Sequence, residues 1–269
     1  MLYDWRRPVT PRSLAMWSLS TDAPHPLRAS TLVERACIFD IDPAAVRVAL
    51  GRLVREGSAI QVERGVYQLG PAAEALHAKA RGWADVEDGI RPWSGDWTIV
   101  LTHHLGRTDR PRMIARERAL RLTGFAAADA GLWVRPDNLR RSAVAVSDEL
   151  HGLGLDPRAK LLTGCRVSTD DDGQFRALWP KAELEDRYRY WIAEMEASAM
   201  RVATLSTRDA ARETFLLGQS VIRAINSDPL LPVELIDASL RSKMIVEMSR
   251  YNITGLRCWA VLALSGSTA

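Results

Sequence analysis

The chain has 269 residues, of which 47% are hydrophobic and 26% charged, a composition typical of globular rather than disordered proteins. This length predicts two or three domains with a sizeable core, which excludes a small disulfide-stapled scaffold. The three cysteines lie far apart without a Cys-x-x-Cys motif, so neither a zinc site nor a disulfide framework is expected. Met1–Thr10 lacks the apolar core of a signal peptide, and no apolar run approaches the roughly 20 residues of a membrane span. We therefore expect a soluble cytoplasmic protein without membrane contact, metal or cofactor.

The net charge of +3 comes from the first part of the chain. Residues 1–81 hold 11 basic and 8 acidic side chains, whereas the two charge types balance in the rest of the chain. A basic excess in one segment is typical of proteins that bind polyanions, because neutralised phosphates release counterions. Only four of the 36 basic residues are lysines, and the planar fork of arginine suits phosphate and guanine recognition. The alternative is the codon bias of a GC-rich genome.

The first 70 residues predict three helices followed by a β-hairpin. Asp42-Pro43 is a strong helix start, because aspartate caps the helix and proline fits its first position. Gly57 is placed to end that helix, and Arg64-Gly65 joins two short strands. This order is the winged helix-turn-helix layout. The predicted helices are Pro11–Leu19, Leu27–Phe39 and Pro43–Glu56, and the predicted strands are Ala59–Glu63 and Val66–Leu69.

The third predicted helix has one apolar face and one face suited to DNA. Val46, Leu50 and Leu53 are expected in the core, while the small first turn allows close approach to base edges in the major groove. Arg47 is the residue most suited to a guanine, and the other arginines suit phosphates. The alternative is an ordinary solvated helix face, since arginine and alanine are good helix formers. The candidate DNA contacts are Ser30, Ala44, Ala45, Arg47, Val48, Arg52, Arg55 and Arg64.

The middle of the chain predicts an α+β domain. A further strand near Phe125–Ala128 would complete the β-α-β-β-α-β order of ferredoxin-like domains. The other predicted elements are strands at Trp97–His103, Leu132–Arg135 and Lys160–Val167 and helices at Pro111–Leu122 and Ala143–Leu153.

The last part of the chain predicts a helical domain. Asp170–Gly173 is predicted as a polar turn, and helices follow at 182–203, 207–225 and 239–264, the last with a possible break at Asn252–Gly255. We therefore predict an α+β protein with a winged helix-turn-helix domain (1–88), a ferredoxin-like middle domain (89–169) and a helical C-terminal domain (170–269).

Few side chains indicate other chemistry. His103 and His104 are adjacent, so in a strand they would point to opposite faces and could not easily share a metal. Tyr188, Trp191 and Met195 recur at helical spacing beside Arg187, a stripe that could line an apolar cavity with a cationic rim for an aromatic acid or acyl thioester. The alternative is plain helix packing. We treat Arg187, Tyr188 and Trp191 as candidate effector contacts.

Seven segments spread along nearly the whole chain carry a family pattern: Pro11–Leu14, Ala45–Gly57, Tyr67–Leu69, Trp93–Leu101, Arg121–Phe125, Gly131–Leu139 and Asp228–Leu235. In these segments the chain resembles the PaaX family of bacterial transcriptional repressors of phenylacetic acid catabolism. The resemblance implies a homodimeric repressor of operator DNA that phenylacetyl-CoA-like effectors release, with Arg47 and Arg52 among the DNA contacts.

We therefore predict a regulator that is not an enzyme, with an acyl-CoA or aromatic acid bound between its middle and C-terminal domains. One alternative is a nucleic-acid-processing enzyme in which Asp96 or Asp109 holds magnesium on the ferredoxin-like domain. Another is a winged helix that binds a protein partner, which Arg47, Arg52 and Arg55 argue against.

Overall fold

A computed structural model describes residue 5, residues 8–106 and residues 108–266. The prediction that Met1–Thr10 is not a signal peptide therefore concerns mostly residues outside the described part of the chain. The chain is α+β, with two antiparallel sheets and a majority of helix. The strands are β1 (Leu27–Arg28), β2 (Ala59–Glu63), β3 (Val66–Leu69), β4 (Trp97–Leu101), β5 (Ala126–Asp129), β6 (Leu132–Pro136) and β7 (Lys160–Cys165).

Ten α-helices and one 3₁₀ helix (Gly82–Gly89) occur in the described part of the chain. None of the described helices is long and apolar enough to cross a membrane. The α-helices are α1 (Pro11–Thr21), α2 (Ala29–Cys37), α3 (Pro43–Arg55), α4 (Pro71–Arg81), α5 (Arg110–Leu122), α6 (Ala143–Gly152), α7 (Thr169–Arg176), α8 (Lys181–Val202), α9 (Thr207–Asn226) and α10 (Ala238–Gly266).

The first sheet has three strands in the order β1-β3-β2. The hairpin of β2 and β3 is confirmed with the predicted bounds. The prediction of one helix over Leu27–Phe39 is wrong at its start, because Leu27 and Arg28 pair with Tyr67 and Val66 of β3. A strand of two residues has no periodicity to reveal it, so this pairing is a product of tertiary structure.

The ends of α3 follow the local signals in its sequence. The side chain of Asp42 accepts a hydrogen bond from the Ala44 amide, and Pro43 occupies the first turn. At the other end, Gly57 has a positive φ of 70°. The amides of Gly57 and Ser58 donate to the carbonyls of Val54 and Leu53 at 3.0 and 2.9 Å. These two bonds form a Schellman cap and turn the chain sharply into β2.

The second sheet has four strands in the order β5-β6-β4-β7, and every neighbouring pair is antiparallel. The strand expected near Phe125–Ala128 is present as β5. On one face, Val100 and Trp133 pack with Ala119, Leu120 and Leu150 of α5 and α6. On the other face, Trp97 and Val134 pack with Trp93 and Phe175. This alternation along β4 and β6 places each side chain on a definite face of the sheet.

Several local predictions are wrong. Asp170–Gly173 is not a turn but lies in α7, where the carboxylates occupy the helix N-terminal turn and Ser168 caps it, a position that favours negative charge. Residues Asn252–Gly255 do not break α10. His103 and His104 lie beyond the end of β4, with ring centroids only 5.3 Å apart. They therefore do not point to opposite faces of a strand. The helices over residues 71–89 were not predicted.

The chain folds into two compact units, each assembled from segments that are separate in the sequence. Unit 1 holds residues 1–82, 193–222 and 247–269, and unit 2 holds residues 83–192 and 223–246. Each of α8, α9 and α10 contributes residues to both units. The three-domain division at residues 88 and 169 stays a prediction.

Candidate nucleic-acid interface

Helix α3 of unit 1 has a buried face and an exposed face, as its sequence predicts. Val46, Leu50 and Leu53 are almost completely buried in the core of α1, α2 and α3. The opposite face exposes Arg47, Arg52 and Arg55 together with Val48, whose exposed fraction is 55%. The side chain of Val48 provides methyl groups of the kind that contact the methyl group of thymine in a major groove.

The first turn of α3 carries only small side chains. Ala44 is exposed and Ala45 is half-buried, and both follow Pro43 directly. No large side chain therefore stands between the start of the helix backbone and solvent at these positions. A helix with such an N-terminal turn can approach base edges closely in a major groove.

The arginines of this face are available for a polyanion. No described carboxylate lies within ion-pair distance of Arg47, Arg52 or Arg64. Arg55 donates through Nε to the carbonyl of Gly51 at 3.3 Å, and among the described residues no carboxylate lies within ion-pair distance of it. Glu56 at the end of the helix is already paired with Arg12 at 2.5 Å. The acidic residue at the C-terminal end of α3 is therefore neutralised.

The β2–β3 hairpin places Arg64 at its exposed tip, followed by Gly65 with φ of 74°. The carbonyl of Gly65 accepts a hydrogen bond from the Ala29 amide at 2.8 Å, so the tip is fixed beside the start of α2. Ser30, the next residue of α2, is exposed. The hairpin tip and the start of α2 thus form one surface.

Arg28 belongs to the same surface and was missed by the sequence analysis. It is exposed in β1 and lies opposite Val66, two residues from Arg64. Only the pairing of β1 with β3 brings it there, so nothing in the local sequence pattern indicated it. We call the exposed arginines of β1, α3 and the hairpin tip the basic face: Arg28, Arg47, Arg52, Arg55 and Arg64. It has one arginine more than the sequence analysis proposed.

The turn between α2 and α3 is held by α9 within unit 1. Asp40 has a positive φ of 56° and accepts hydrogen bonds from Arg208 and Arg212 at 2.6 and 2.7 Å. Arg208 also donates to the carbonyl of Cys37 at 2.6 Å. Phe215, one helical turn further along α9, packs against the rings of Trp17 and Phe39. Helix α9 thereby fixes the angle at which α3 leaves α2.

The candidate effector residues lie in a buried part of α8. Tyr188 has no exposed surface, and Trp191 is 4% exposed. The hydroxyl of Tyr188 donates to Oδ2 of buried Asp228 at 2.5 Å, and Arg187 lies 3.4 Å from the same oxygen. Burial and the negative charge of Asp228 raise the pKa of Tyr188. These contacts favour the helix-packing interpretation, and an effector role for the three residues stays a prediction.

The carboxylates considered for magnesium are engaged in local contacts. Asp96 accepts from Ser94 at 2.8 Å and from Arg166 at 3.2 Å. Asp109 accepts from the amide of Arg112 as the cap of α5. Within the described ranges, no group of three or more His, Cys, Asp or Glu side chains is placed to hold a metal ion.

Comparisons with known proteins indicate the fold alone. No family model matches the chain, and no curated protein matches it. An uncharacterised protein of Mycobacterium tuberculosis, Rv0674, is similar in structure with a TM-score of 0.58. The two chains share 23% sequence identity, and the match covers 93% of this chain and 99% of that chain. The chain is therefore similar to this protein in its α+β architecture over nearly its full length.

Proposed function

We propose that the chain is a DNA-binding transcriptional regulator similar to the PaaX family, which represses a catabolic operon until an acyl-CoA or aromatic acid releases it. The observation that carries the proposal is the basic face, whose arginines have no described carboxylate within ion-pair distance, together with the small side chains at the start of α3. Phosphates would pair with the arginines, and Arg47 would reach a base edge.

The arrangement around the basic face supports a winged helix-turn-helix domain. Helices α1, α2 and α3 are followed by a hairpin, and the small sheet has the order β1-β3-β2. In this motif the last helix enters the major groove, which matches the role given to α3. The hairpin is then the wing, and its tip arginine suits a phosphate or the minor groove.

The second sheet supports a ferredoxin-like middle domain. Its elements follow the order β4-α5-β5-β6-α6-β7, which is the β-α-β-β-α-β pattern of that fold. Helices α8, α9 and α10 would form the C-terminal domain. In a homodimer the two α3 helices would enter successive major grooves, about 34–36 Å apart along the duplex.

Release by an effector would be a population shift. Such an effector would bind more tightly to a dimer whose two α3 helices are wrongly spaced for successive major grooves. Its binding would therefore lower the affinity for the operator. The size of the shift is bounded by the difference in effector affinity between the two conformations.

The first experiment measures binding of the purified chain to the intergenic DNA upstream of its own gene, by gel shift at physiological salt. We expect specific binding that survives excess non-specific DNA and is released by phenylacetyl-CoA, a related thioester or an aromatic acid. Specific binding without release by any of these would overturn the effector class and keep the regulator. Absence of specific binding, or cleavage of the DNA with magnesium, would overturn the regulator and favour the nucleic-acid enzyme.

Two matched variants locate the contact. Arg47→Ala should lower operator affinity by about 1–3 kcal/mol and relax sequence preference at one base position. Arg118→Ala removes the same charge from an exposed position on α5 and should leave binding unchanged. Equal affinities and preferences for Arg47→Ala and the wild type would refute the base contact.

A further inference from the structure

Unit 2 contains a cavity on the helix-covered face of its four-stranded sheet. Its volume is about 130 Å³, and residues of β4, β6, β7 and α6 line it. Thr98 and Arg135, which are register partners on β4 and β6, form its floor. The exposed lining residues Arg91, Arg141 and Thr163 mark its opening to solvent.

Arg135 is the unusual residue of this cavity, because it is a buried charge without a carboxylate partner. Its exposed fraction is 5%, and no described carboxylate lies within ion-pair distance of it. Its guanidinium donates to neutral oxygens instead: the carbonyls of Pro136, Thr123 and Pro229 and the side-chain oxygen of Asn138. Burial, with a smaller contribution from the charge of Arg141, lowers the pKa of Arg135 to about 10, although the charges of Glu149 and Asp137 act in the opposite direction.

Asp137 and Glu149 act on Arg135 only through longer-range attraction, since neither lies within ion-pair distance of it. Asp137 is paired with Arg91 at 2.9 Å and also accepts a hydrogen bond from the Gly164 amide. Glu149 is paired with Arg141. The lining therefore holds three arginines and two carboxylates, and each carboxylate already has its own arginine. Since buried charges in proteins are normally paired, the cavity has one positive charge in excess.

The start of α6 adds to the positive potential. Ala143, the first residue of that helix, lines the cavity. The N-terminus of a helix carries a partial positive charge and unpaired amides, which favour an anion. This contribution is secondary to the buried guanidinium and points in the same direction.

Part of the wall is apolar, and the cavity volume limits the size of a ligand. Phe125, Leu139 and Val146 line the cavity beside the threonines. A cavity of about 150 Å³ lined by apolar side chains accepts benzene, so this one has room for a single ring or a short branched chain. A coenzyme A thioester, with its nucleotide and long arm, is several times larger.

We propose that this cavity binds a small organic monocarboxylate whose carboxylate pairs with Arg135 and whose apolar group packs against Phe125 and Val146. The site stands on the cavity itself. Its role as the effector site rests on the proposed function, and it would make the effector a free acid rather than a thioester.

The test uses the full chain, with benzoate as the probe and binding measured by calorimetry in the absence of DNA. Benzamide, the neutral analogue of the same shape, should bind at least about tenfold more weakly, because it lacks the charge that Arg135 requires. Inorganic phosphate should also bind more weakly, because it cannot use the apolar wall. Equal binding of benzamide would overturn the role of charge, and equal binding of phosphate would overturn the carboxylate class.

Two variants on the same helix locate the site without removing Arg135, whose loss could unfold the domain. Val146→Phe places a ring in the cavity and should weaken benzoate binding by about tenfold or more. Val144→Phe makes the same change at a position that is 69% exposed and outside the cavity lining, and it should bind benzoate like the wild type. Unchanged binding by Val146→Phe, or no benzoate binding by the wild type, would overturn the proposal.

A spectroscopic measurement separates binding at Arg135 from binding elsewhere. In a chain labelled with ¹⁵N-arginine, benzoate should shift the Nε–Hε signal of Arg135 and leave unchanged that of Arg118, which is exposed and outside the cavity lining. A benzoate titration that moves no arginine signal of the cavity would contradict the assignment. Because these measurements use no DNA, they stand even if the chain fails to bind its operator. Release of operator DNA by benzoate from the wild type, and not from Val146→Phe, would then test the regulatory role separately.

Discussion

Arg212 of α9 donates a hydrogen bond through Nη1 to Oδ2 of Asp40 at 2.7 Å, within the turn that joins α2 to α3. Asp40 receives a second bond from Arg208 at 2.6 Å while its backbone has a positive φ of 56°. One residue therefore combines a strained conformation with two ion pairs. The angle between α2 and α3 depends on a helix that lies about 170 residues later in the chain.

Two substitutions at Asp40 should separate these contributions. Asp40→Asn removes the ion pairs and should cost at most about 1 kcal/mol, because the Asp40 side chain is 66% exposed. Asp40→Ala should cost about 1 kcal/mol more, since alanine tolerates a positive φ less well than asparagine. Urea unfolding followed by tryptophan fluorescence measures both. Equal stabilities of the two variants would contradict the strain at this position.

Replacement of glycine by alanine should have opposite effects on stability at two positions, Gly70 at the base of the hairpin and Gly51 in α3. A Cβ at Gly70 would lie 2.2 Å from the carbonyl oxygen of Gly57, and neither backbone can yield easily. Gly70→Ala should therefore destabilise the chain by about 1–3 kcal/mol or more. A Cβ at Gly51 meets nothing within 4 Å, and Gly51→Ala should stabilise α3 by up to about 1 kcal/mol. Thermal unfolding should give a lower Tm for Gly70→Ala and a higher Tm for Gly51→Ala than for the wild type. A lower Tm for both variants would contradict the account of Gly51.

If the basic face contacts DNA, Arg52 and Arg64 should act on phosphates rather than bases. Arg52→Ala and Arg64→Ala should each weaken binding similarly for all sequences and reduce the slope of log affinity against log salt by about 1. Fluorescence anisotropy at several salt concentrations gives the slopes. Arg118→Ala serves as the control for loss of charge alone. A changed base preference with an unchanged slope would assign these residues to base contacts instead.

The pair of Tyr188 and Asp228 predicts a specific dependence of stability on pH. At neutral pH, Tyr188→Phe leaves the buried carboxylate without one donor and should cost about 1.5–3 kcal/mol. Burial raises the pKa of Tyr188 in the folded state, whereas an unfolded tyrosine titrates near pH 10. The contribution of Tyr188 to the stability of the wild type is therefore fully present below about pH 10. It is lost progressively as the pH rises above that value.

Urea unfolding between about pH 7 and 11 tests this sign. The free energy of unfolding should fall less steeply above about pH 10 in Tyr188→Phe than in the wild type. Part of the loss should remain in the variant, because burial also raises the pKa of Tyr251. Identical slopes in the two proteins would contradict the burial of the Tyr188 hydroxyl.

The elements that the sequence predicted well are those with local signals at their ends. Helix α3 begins at Asp42-Pro43 and ends before Gly57, because capping and positive φ depend on single residues. The hairpin was predicted with its observed bounds for the same reason. Asp170–Asp172 were assigned to a turn because three consecutive carboxylates are polar, although their place after Ser168 suits a helix start equally well.

The candidate DNA contacts also divide into those that a local sequence pattern indicates and those that depend on tertiary structure. The exposed side of α3 follows from the position of its apolar residues, so Arg47, Val48 and Arg52 were found. Arg28 was missed because its place beside the hairpin depends on a two-residue pairing with Val66. Periodicity carries no information about so short a strand.

The sequence by itself determined the α+β class, the order of most elements and the faces of α3, since helix caps, turns and hydrophobic periodicity act over a few residues. Only the tertiary structure decided that Arg135 is buried beside a cavity with no described carboxylate within ion-pair distance, and that the buried Tyr188 donates to Asp228. Each of these depends on segments far apart in the chain. Burial and the distance between charges set their energies, and neither quantity exists until the chain is folded.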